Sequence, residues 1–438
     1  MPGRLDPLAQ AFTALYLATL LALPGLSSSL AALACLTALA AGFHQWRADA
    51  RAGFTQMAVL VVPAALYLLH VLIQILLGVA STRLGSHVLI GLLSLGVGLS
   101  GVPARSGDVR RWILPAAALG AVGTCVLALY QFWILGYQRP WGWLGGGPLG
   151  NGAIKFGDLA ALQALLAFVL VLTGASRFHR LLGLAGLFCG VLTLALTQTR
   201  GGVLGFLLAV GALGLALALR RSDRRQALAA LPVAPVAVTT ARTRRGTSLA
   251  VLVFALLLLV SAAFFMQDRF AAIGPQVQRF LHGDLNSEVG QRLALWEAAM
   301  RAGLHQPLTG IGFGRFDEEL ARQMASGLLP ASSRILYGQV HNEYLAAFSQ
   351  AGVTGFLALL LMFVAPVFAL LRQIRRGQGS PAAYAALVTA AAFAGFAMTD
   401  DMFDRQITVI AFFFLNAWFL RAATPAATAG LPKETPRR

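Results

Sequence analysis

Charged residues and cysteines are both scarce in this chain of 438 residues. Asp, Glu, Lys and Arg make up 12% of it, whereas soluble domains carry about 25%, so the composition excludes an ordinary soluble domain. The three cysteines, Cys35, Cys125 and Cys189, all lie in apolar stretches, which argues against a disulfide framework or a metal site. The first apolar run, 11–23, has no basic n-region before it, so we expect a membrane span there and no cleavable signal peptide.

Long apolar runs are abundant instead. Hydrophobic residues make up 58% of the chain and form stretches of roughly 20 residues, the length at which an α-helix crosses a bilayer. Because lipid offers no partner for backbone N–H and C=O groups, such stretches must be helical. We therefore predict an all-α, polytopic membrane protein with about twelve transmembrane helices and one large outer loop that contains helices. The predicted spans are 10–24, 26–43, 56–79, 86–102, 112–136, 156–174, 181–198, 202–219, 248–266, 343–370, 382–399 and 405–420.

The net charge of +17 has a distribution that opposes nucleic-acid binding. Most of the 34 Lys and Arg residues fall in segments that alternate along the chain, as expected when positive residues stay on the cytoplasmic side. This pattern places both termini in the cytoplasm. The predicted parts are transmembrane helices in 1–266, an outer loop domain in 267–342, transmembrane helices in 343–422 and a disordered cytoplasmic tail in 423–438.

Three outer-face segments carry an arginine or a histidine with a candidate function. Arg200 stands between two predicted spans, where it is costly unless it meets an anion; the alternative is an interfacial anchor. Arg292 lies on a predicted helix, 287–304, and its alternative is a surface ion pair with Glu288. His341, at the outer end of a predicted span, can accept a proton near neutral pH. The alternative is an interfacial histidine that has no catalytic or binding role.

A fourth segment, 145–160, contributes Lys155. Its functional interpretation is an additional phosphate contact, and its alternative is an ion pair with Asp158, three residues later. Three cations and a histidine on one face of such a weakly charged protein favour a phosphate ligand, since guanidinium groups bind phosphate through paired hydrogen bonds. A lipid diphosphate suits this depth, because its chain lies in the bilayer and its head lies at the interface.

Several neighbouring polar residues are possible supporting groups. Asn342 and Glu343 add hydrogen-bonding capacity beside His341, but they are also consistent with a helix cap. Asp400 and Asp401 lie between two predicted spans, where they would orient an acceptor or steady an arginine; a solvated turn is the alternative.

Together these motifs resemble the O-antigen ligase and polymerase superfamily of integral membrane glycosyltransferases. The resemblance covers about 145–360, and its most specific part is HNEYL at 341–345. The other motifs that carry it are Thr199-Arg200-Gly201-Gly202, Arg292 with Trp296, the turn 307–316, and Gly352 with Gly355. It implies an enzyme of the bacterial inner membrane whose site faces the periplasm and whose donor is a glycan on undecaprenyl diphosphate, with no cofactor and no metal.

The resemblance also implies roles for individual residues. His341 is the expected general base for the attacking hydroxyl. Arg200 and Arg292, with Lys155 in addition, are expected to bind the donor diphosphate, and displacement in line would invert the anomeric centre. The single large loop favours an O-antigen ligase with lipid A-core oligosaccharide as acceptor. An O-antigen polymerase or a protein O-oligosaccharyltransferase of the same superfamily is the alternative.

Two alternatives come from other classes of protein. A secondary transporter would also have about twelve spans, but its polar site would lie near the membrane midplane and its halves would often be related. Here the polar residues lie at the outer ends of spans, and no repeat relates 1–219 to 220–438. The second alternative is a non-catalytic subunit of an envelope assembly, with the loop as its docking surface.

Overall fold

The computed structural model describes residues 5–43, 46–99, 106–144, 151–229, 260–261, 264, 266–329 and 339–423, and these residues are helical without any strand. We number the principal helices in chain order. They are α1 (Leu5–Thr19), α2 (Pro24–Phe43), α3 (Trp46–Leu76), α4 (Gly85–Leu99), α5 (Val109–Ile134), α6 (Asn151–Thr173), α7 (Arg177–Thr197), α8 (Arg200–Ala229), α9 (Gln267–Ala271), α10 (Ile273–Leu281), α11 (Glu288–His305), α12 (Phe316–Ala325), α13 (Glu343–Gln373), α14 (Pro381–Phe396) and α15 (Gln406–Ala423).

The helices follow the predicted membrane spans closely. Each predicted range except 248–266 overlaps one of them, and that range lies almost entirely outside the described residues, as does the tail 424–438. Seven of the described helices are long and apolar enough to cross a membrane, and three apolar helices are shorter. The structure confirms an all-α protein with several membrane-spanning helices, while the number twelve and the side on which the loop lies stay predictions.

Three helices form the centre of the bundle. Within the apolar 18-residue stretch of each helix, 89% of α6 and 83% of α15 is buried. Helix α14 is buried along nearly its whole length. Helices α3, α7 and α8 bury only 44% of theirs and turn large apolar side chains outward, including Leu69, Phe188 and Leu207. A helix that is apolar all round belongs in the core, and the outward apolar faces suit contact with lipid.

Helices α8 and α14 cross at two glycines. A Cβ on Gly395 would lie 2.5 Å from the Cα of Gly205, so the two backbones touch where they cross. In a membrane, small residues at helix crossings allow the close packing that drives association. The crossing fixes the start of α8 against residues 397–405, which join α14 to α15 and which we call the aspartate loop.

Helix α13 is broken at Gly352, where φ is +65°. The turn 307–312 packs into the break: Ile311 N and Gly312 N donate to the carbonyls of Ser349 and Gln350 at 2.9 and 3.1 Å, and Val353 N donates to Pro307 O at 2.8 Å. The break therefore frees backbone groups of α13 that the turn satisfies, and it anchors the segment 267–329 to the bundle.

Helix α11 begins one residue after the predicted start, and the Oγ atom of Ser287 caps it by accepting from Gly290 N at 3.0 Å. Val289, Leu293 and Trp296 line a cavity, and Met300 is 42% exposed. The buried face consists mainly of small residues, which let α11 approach the start of α13 closely. The buried residues are Gly290, Ala294, Leu295, Ala298, Ala299, Ala302 and Gly303.

We predict that Gly352→Ala destabilises the protein by about 2–4 kcal/mol. A Cβ at this position would need a left-handed backbone and would lie 2.5 Å from the carbonyl carbon and oxygen of Leu308. The measurement is the unfolding midpoint of detergent-purified protein, followed by tryptophan fluorescence. Gly211→Ala, on α8 with no heavy atom within 4 Å of the added Cβ, is the matched control and should leave the midpoint unchanged or slightly raised. Equal midpoints for the two variants would contradict this account of the break.

Candidate active site

Four arginines line one cavity of about 280 Å³. They are Arg139, Arg200, Arg269 and Arg292, and we call this space the arginine cavity. The two arginines predicted from the sequence, Arg200 and Arg292, are thus brought together. Arg139 and Arg269 were missed, because a single arginine beside an apolar run has no signal of its own without the fold.

Backbone carbonyls hold these guanidinium groups in place. Arg200 is the first residue of α8 and donates to the carbonyl of Arg269, while Arg292 on α11 donates to the carbonyl of Thr399 in the aspartate loop. Arg139 donates through Nε to Thr197 O at 2.9 Å. Gly201, in the first turn of α8, also lines the cavity. A helix start beside fixed guanidinium groups is a favourable place for an anion.

Glu288 is the one acidic side chain among the described residues that line the arginine cavity. It lies 2.8 Å from Arg269 and 4.0 Å from Arg292. Burial alone would raise the pKa of Glu288, but the surrounding guanidinium groups hold it below its ordinary value. Burial and the neighbouring Arg269 lower the pKa of Arg139 to about 10. Four guanidinium groups facing one carboxylate leave the cavity positive, and an anion would relieve their mutual repulsion.

The aspartate loop holds His341 through Asp400. His341 Nδ1 lies 3.0 Å from Asp400 Oδ1, and Asp400 is fully buried. Burial alone would raise the pKa of Asp400, but the Lys155 ammonium and the hydrogen bond with His341 hold it below its ordinary value. An ionised Asp400 accepts the Nδ1 proton, so Nε2 is the ring nitrogen that takes a further proton. A carboxylate that fixes an imidazole in this tautomer is the arrangement that general-base histidines use.

His341 has a strained backbone, with φ at +56°. Asp401 supports this conformation from both sides, because its carboxylate accepts from Val340 N at 2.9 Å and from Asn342 N at 3.0 Å. Burial and the charges of the other loop aspartates raise the pKa of Asp401 to about 6. A left-handed conformation in a residue other than glycine costs about 1–3 kcal/mol and persists where the surroundings impose it, often at functional sites.

Asn342 and Glu343 contact the protein itself. Asn342 Oδ1 caps α13 by accepting from Tyr344 N and Leu345 N at 3.0 and 3.1 Å. Glu343 is buried and accepts from the hydroxyl of Tyr67 and from the backbone N–H of Phe403, both at 3.1 Å. These contacts position the start of α13 against the aspartate loop.

Lys155 does not lie with the arginines. It is buried within α6, and its Nζ lies 2.7 Å from Asp400 and 3.0 Å from Asp404. The predicted alternative, an ion pair with Asp158, is also wrong: among the residues that the structure describes, neither carboxylate oxygen of Asp158 has a hydrogen-bond partner. The solvated turn considered for Asp400 and Asp401 is wrong as well, since both are buried. Sequence spacing could not reveal these pairs, because their partners lie more than 240 residues apart.

His341 is not among the described residues that line the arginine cavity, but the aspartate loop connects the two. Arg292 Nη1 lies 2.5 Å from Thr399 O, and the next residue along the chain holds the imidazole. Standard bond lengths limit the separation of the guanidinium and the imidazole to about 12 Å along this path. In the described part of the chain, no three His, Cys, Asp or Glu side chains are grouped as metal ligands.

The fold and the site define a class of protein: a helical membrane protein with a cationic cavity and an aspartate-bound histidine beside it. Residues 185–360, which include Arg200, Arg292 and His341, match the family model described as O-Antigen ligase. This match confirms the resemblance seen in the sequence motifs, and it covers about two fifths of the chain.

One similar curated protein comes from Haemophilus influenzae (strain ATCC 51907 / DSM 11121 / KW20 / Rd) and is named only as an uncharacterized protein. It is 25% identical over 266 residues, which cover 60% of this chain and 61% of the relative. The chain therefore spans about three fifths of the length of the curated relative that it matches.

Lys155→Met should cost about 3–5 kcal/mol of stability, because it leaves the buried Asp400 and the partly buried Asp404 without their cation. The free energy of unfolding in detergent measures this. Adding Asp404→Asn to the variant should recover part of the loss, since one uncompensated charge is then removed. Arg301→Met, which breaks an exposed ion pair with Glu297, is the control and should have little effect. A stable Lys155→Met protein with weakened anion binding would return Lys155 to the predicted phosphate contact.

Proposed function

We propose that this protein is an O-antigen ligase of the bacterial inner membrane. It would transfer O-antigen glycan from undecaprenyl diphosphate to a sugar hydroxyl of the lipid A-core on the periplasmic face. The observation that carries the proposal is the arginine cavity, connected through the aspartate loop to the His341–Asp400 pair. An anion site next to a positioned base is what glycosyl transfer from a lipid diphosphate requires.

The proposal includes the membrane arrangement expected from the sequence. Twelve spans put both termini in the cytoplasm and the segment 267–342 in the periplasm. The arginine cavity then lies between that segment and the outer ends of α6, α7 and α8, at the depth of a lipid head group. The divisions at 266, 342 and 422 mark the spans, the loop domain and the tail.

The arginine cavity meets the demand of the leaving group. As the bond between the anomeric carbon and the phosphate oxygen breaks, its electron pair moves onto the diphosphate. Fixed guanidinium groups stabilise that charge in the transition state. Arg200 and Arg292, each already oriented by a backbone carbonyl, would bind the diphosphate, and Arg139 and Arg269 would add to the positive field. These cations would take the place of a divalent metal, so we propose that the reaction needs none.

The His341–Asp400 pair meets the demand of the nucleophile. The acceptor hydroxyl must lose its proton as its oxygen bonds to the anomeric carbon. His341 Nε2 would take that proton, and Asp400 would stabilise the imidazolium that forms. The products are the new glycoside, undecaprenyl diphosphate and a proton that leaves the imidazole afterwards. Attack opposite the leaving diphosphate inverts the anomeric centre.

Variants of the base and variants of the arginine cavity should differ in their kinetics. The rates are measured with purified protein, carrier-linked donor and lipid A-core in the presence of EDTA. His341→Ala should lower kcat by about 10²–10⁴-fold with little change in donor KM, since it removes proton transfer. Arg200→Gln and Arg292→Gln should lower kcat/KM for the donor by about 10²–10³-fold.

Arg322→Gln, on the surface of α12, is the control for these variants and should match the unmodified protein. Full activity of His341→Ala would remove it as the base. Loss of wild-type activity in EDTA would contradict the proposal that the arginines, and not a divalent metal, stabilise the leaving diphosphate.

Deleting the gene tests the identity of the acceptor. A ligase predicts lipopolysaccharide without long-chain O-antigen, together with persistence of the polymer on undecaprenyl diphosphate, measured by gel analysis and by extraction of the carrier lipid. Loss of the polymer itself would indicate an O-antigen polymerase. Unchanged lipopolysaccharide with loss of protein glycosylation would indicate a protein O-oligosaccharyltransferase.

A further inference from the structure

A second cavity, of about 250 Å³, adjoins the other end of the aspartate loop. The loop contributes Thr399 to the arginine cavity and contributes Asp401, Phe403 and Asp404 to this second cavity. Asp400, which holds His341, lies between these two groups in the sequence. His341 is not among the described residues that line either cavity. The nucleophile and the leaving group of an in-line displacement must approach the reacting carbon from different directions, and the two cavities adjoin different parts of the loop that holds the base.

The polar lining of the second cavity opposes an anion. It includes the carboxylates of Glu343, Asp401 and Asp404, of which Asp404 is paired with Lys155, and the described lining residues include no lysine or arginine. The amides of Gln339 and Gln350 also line it. Carboxylates and amides of this kind accept from and donate to hydroxyl groups, whereas they would repel a diphosphate. The chemistry of the lining therefore favours a neutral ligand rich in hydroxyls.

Aromatic and aliphatic residues complete the lining. Tyr67 packs edge-on against Phe313, with ring centroids 5.5 Å apart, and tilted against Phe403 at 6.1 Å; all three line the cavity. Aromatic rings give the apolar faces of sugar rings a surface to pack on. Val88 of α4 and Phe413 of α15 continue the lining along two membrane helices, which suits a sugar that is carried on a lipid.

We propose that the second cavity binds the acceptor sugar, a neutral, hydroxyl-bearing unit carried by a lipid. This assignment rests on the proposed glycosyl transfer and names the place from which its nucleophile comes. The acceptor would enter between α3, α4 and α15 and present one hydroxyl to His341, while the donor diphosphate occupies the arginine cavity. Donor and acceptor then never compete for the same lining residues.

Filling the second cavity tests the proposal. His87→Trp and the smaller change Val88→Phe enlarge side chains that line it. Leu89→Trp, on the same helix but 58% exposed, is the matched control. The filling variants should raise the acceptor KM by about tenfold or more, because they remove ground-state binding, and should leave the donor KM unchanged. Leu89→Trp should behave like the unmodified protein. Normal acceptor saturation in both filled variants would overturn the proposal, as would an increase in donor KM alone.

A binding measurement separates this proposal from the proposed function. The probe is a soluble core oligosaccharide added to the full-length protein in nanodiscs without donor. His87→Trp or Val88→Phe should abolish its binding, and Arg200→Gln should leave it intact. If no glycan transfer occurs but this binding pattern holds, the cavity is a sugar site and the transfer reaction is wrong. If transfer occurs but the filled variants bind the probe normally, the cavity assignment is wrong and the reaction stands.

Discussion

The ion pair between Lys155 and Asp400 is the contact on which the site depends. It connects α6, at the centre of the bundle, to the aspartate loop, and Asp400 in turn holds His341. A buried carboxylate next to an imidazole is costly unless a cation compensates it, and Lys155 supplies that charge from within the apolar core. The lysine therefore acts on the proposed chemistry through Asp400 and not through contact with the donor. Its ion pair with Asp404 holds the second half of the aspartate loop against α6.

The membrane bundle determines where the functional groups meet. The glycine crossing of α8 and α14 places the start of α8 beside the aspartate loop, so Arg200 and Thr399 line the same cavity. The break at Gly352 anchors the segment that carries Arg269 and Arg292. Two features that weaken isolated helices, a glycine crossing and a broken span, thus bring guanidinium groups from distant parts of the chain to one place. The strain at His341 is sustained by the same loop, through Asp401.

The sequence predicted the helical class and most of the helices, because apolar runs of membrane length leave few other structures. It also predicted that Arg200 and Arg292 bind one anion, because several cations on one face of a weakly charged protein favour a phosphate and because the motifs around them resemble a known family. It did not predict the partners of Lys155, because a spacing rule sees only neighbours within one helix. It left a solvated turn open as the alternative for Asp400 and Asp401, because nothing local shows that Lys155 and residues 340–342 contact them.

A structure of the protein with a glycan on undecaprenyl diphosphate bound would test the central claim most directly. The account predicts diphosphate oxygens within hydrogen-bond distance of Arg200 and Arg292, with the anomeric carbon turned toward His341 and with Lys155 still paired to Asp400. A diphosphate bound away from these arginines, or one that draws Lys155 away from Asp400, would contradict it.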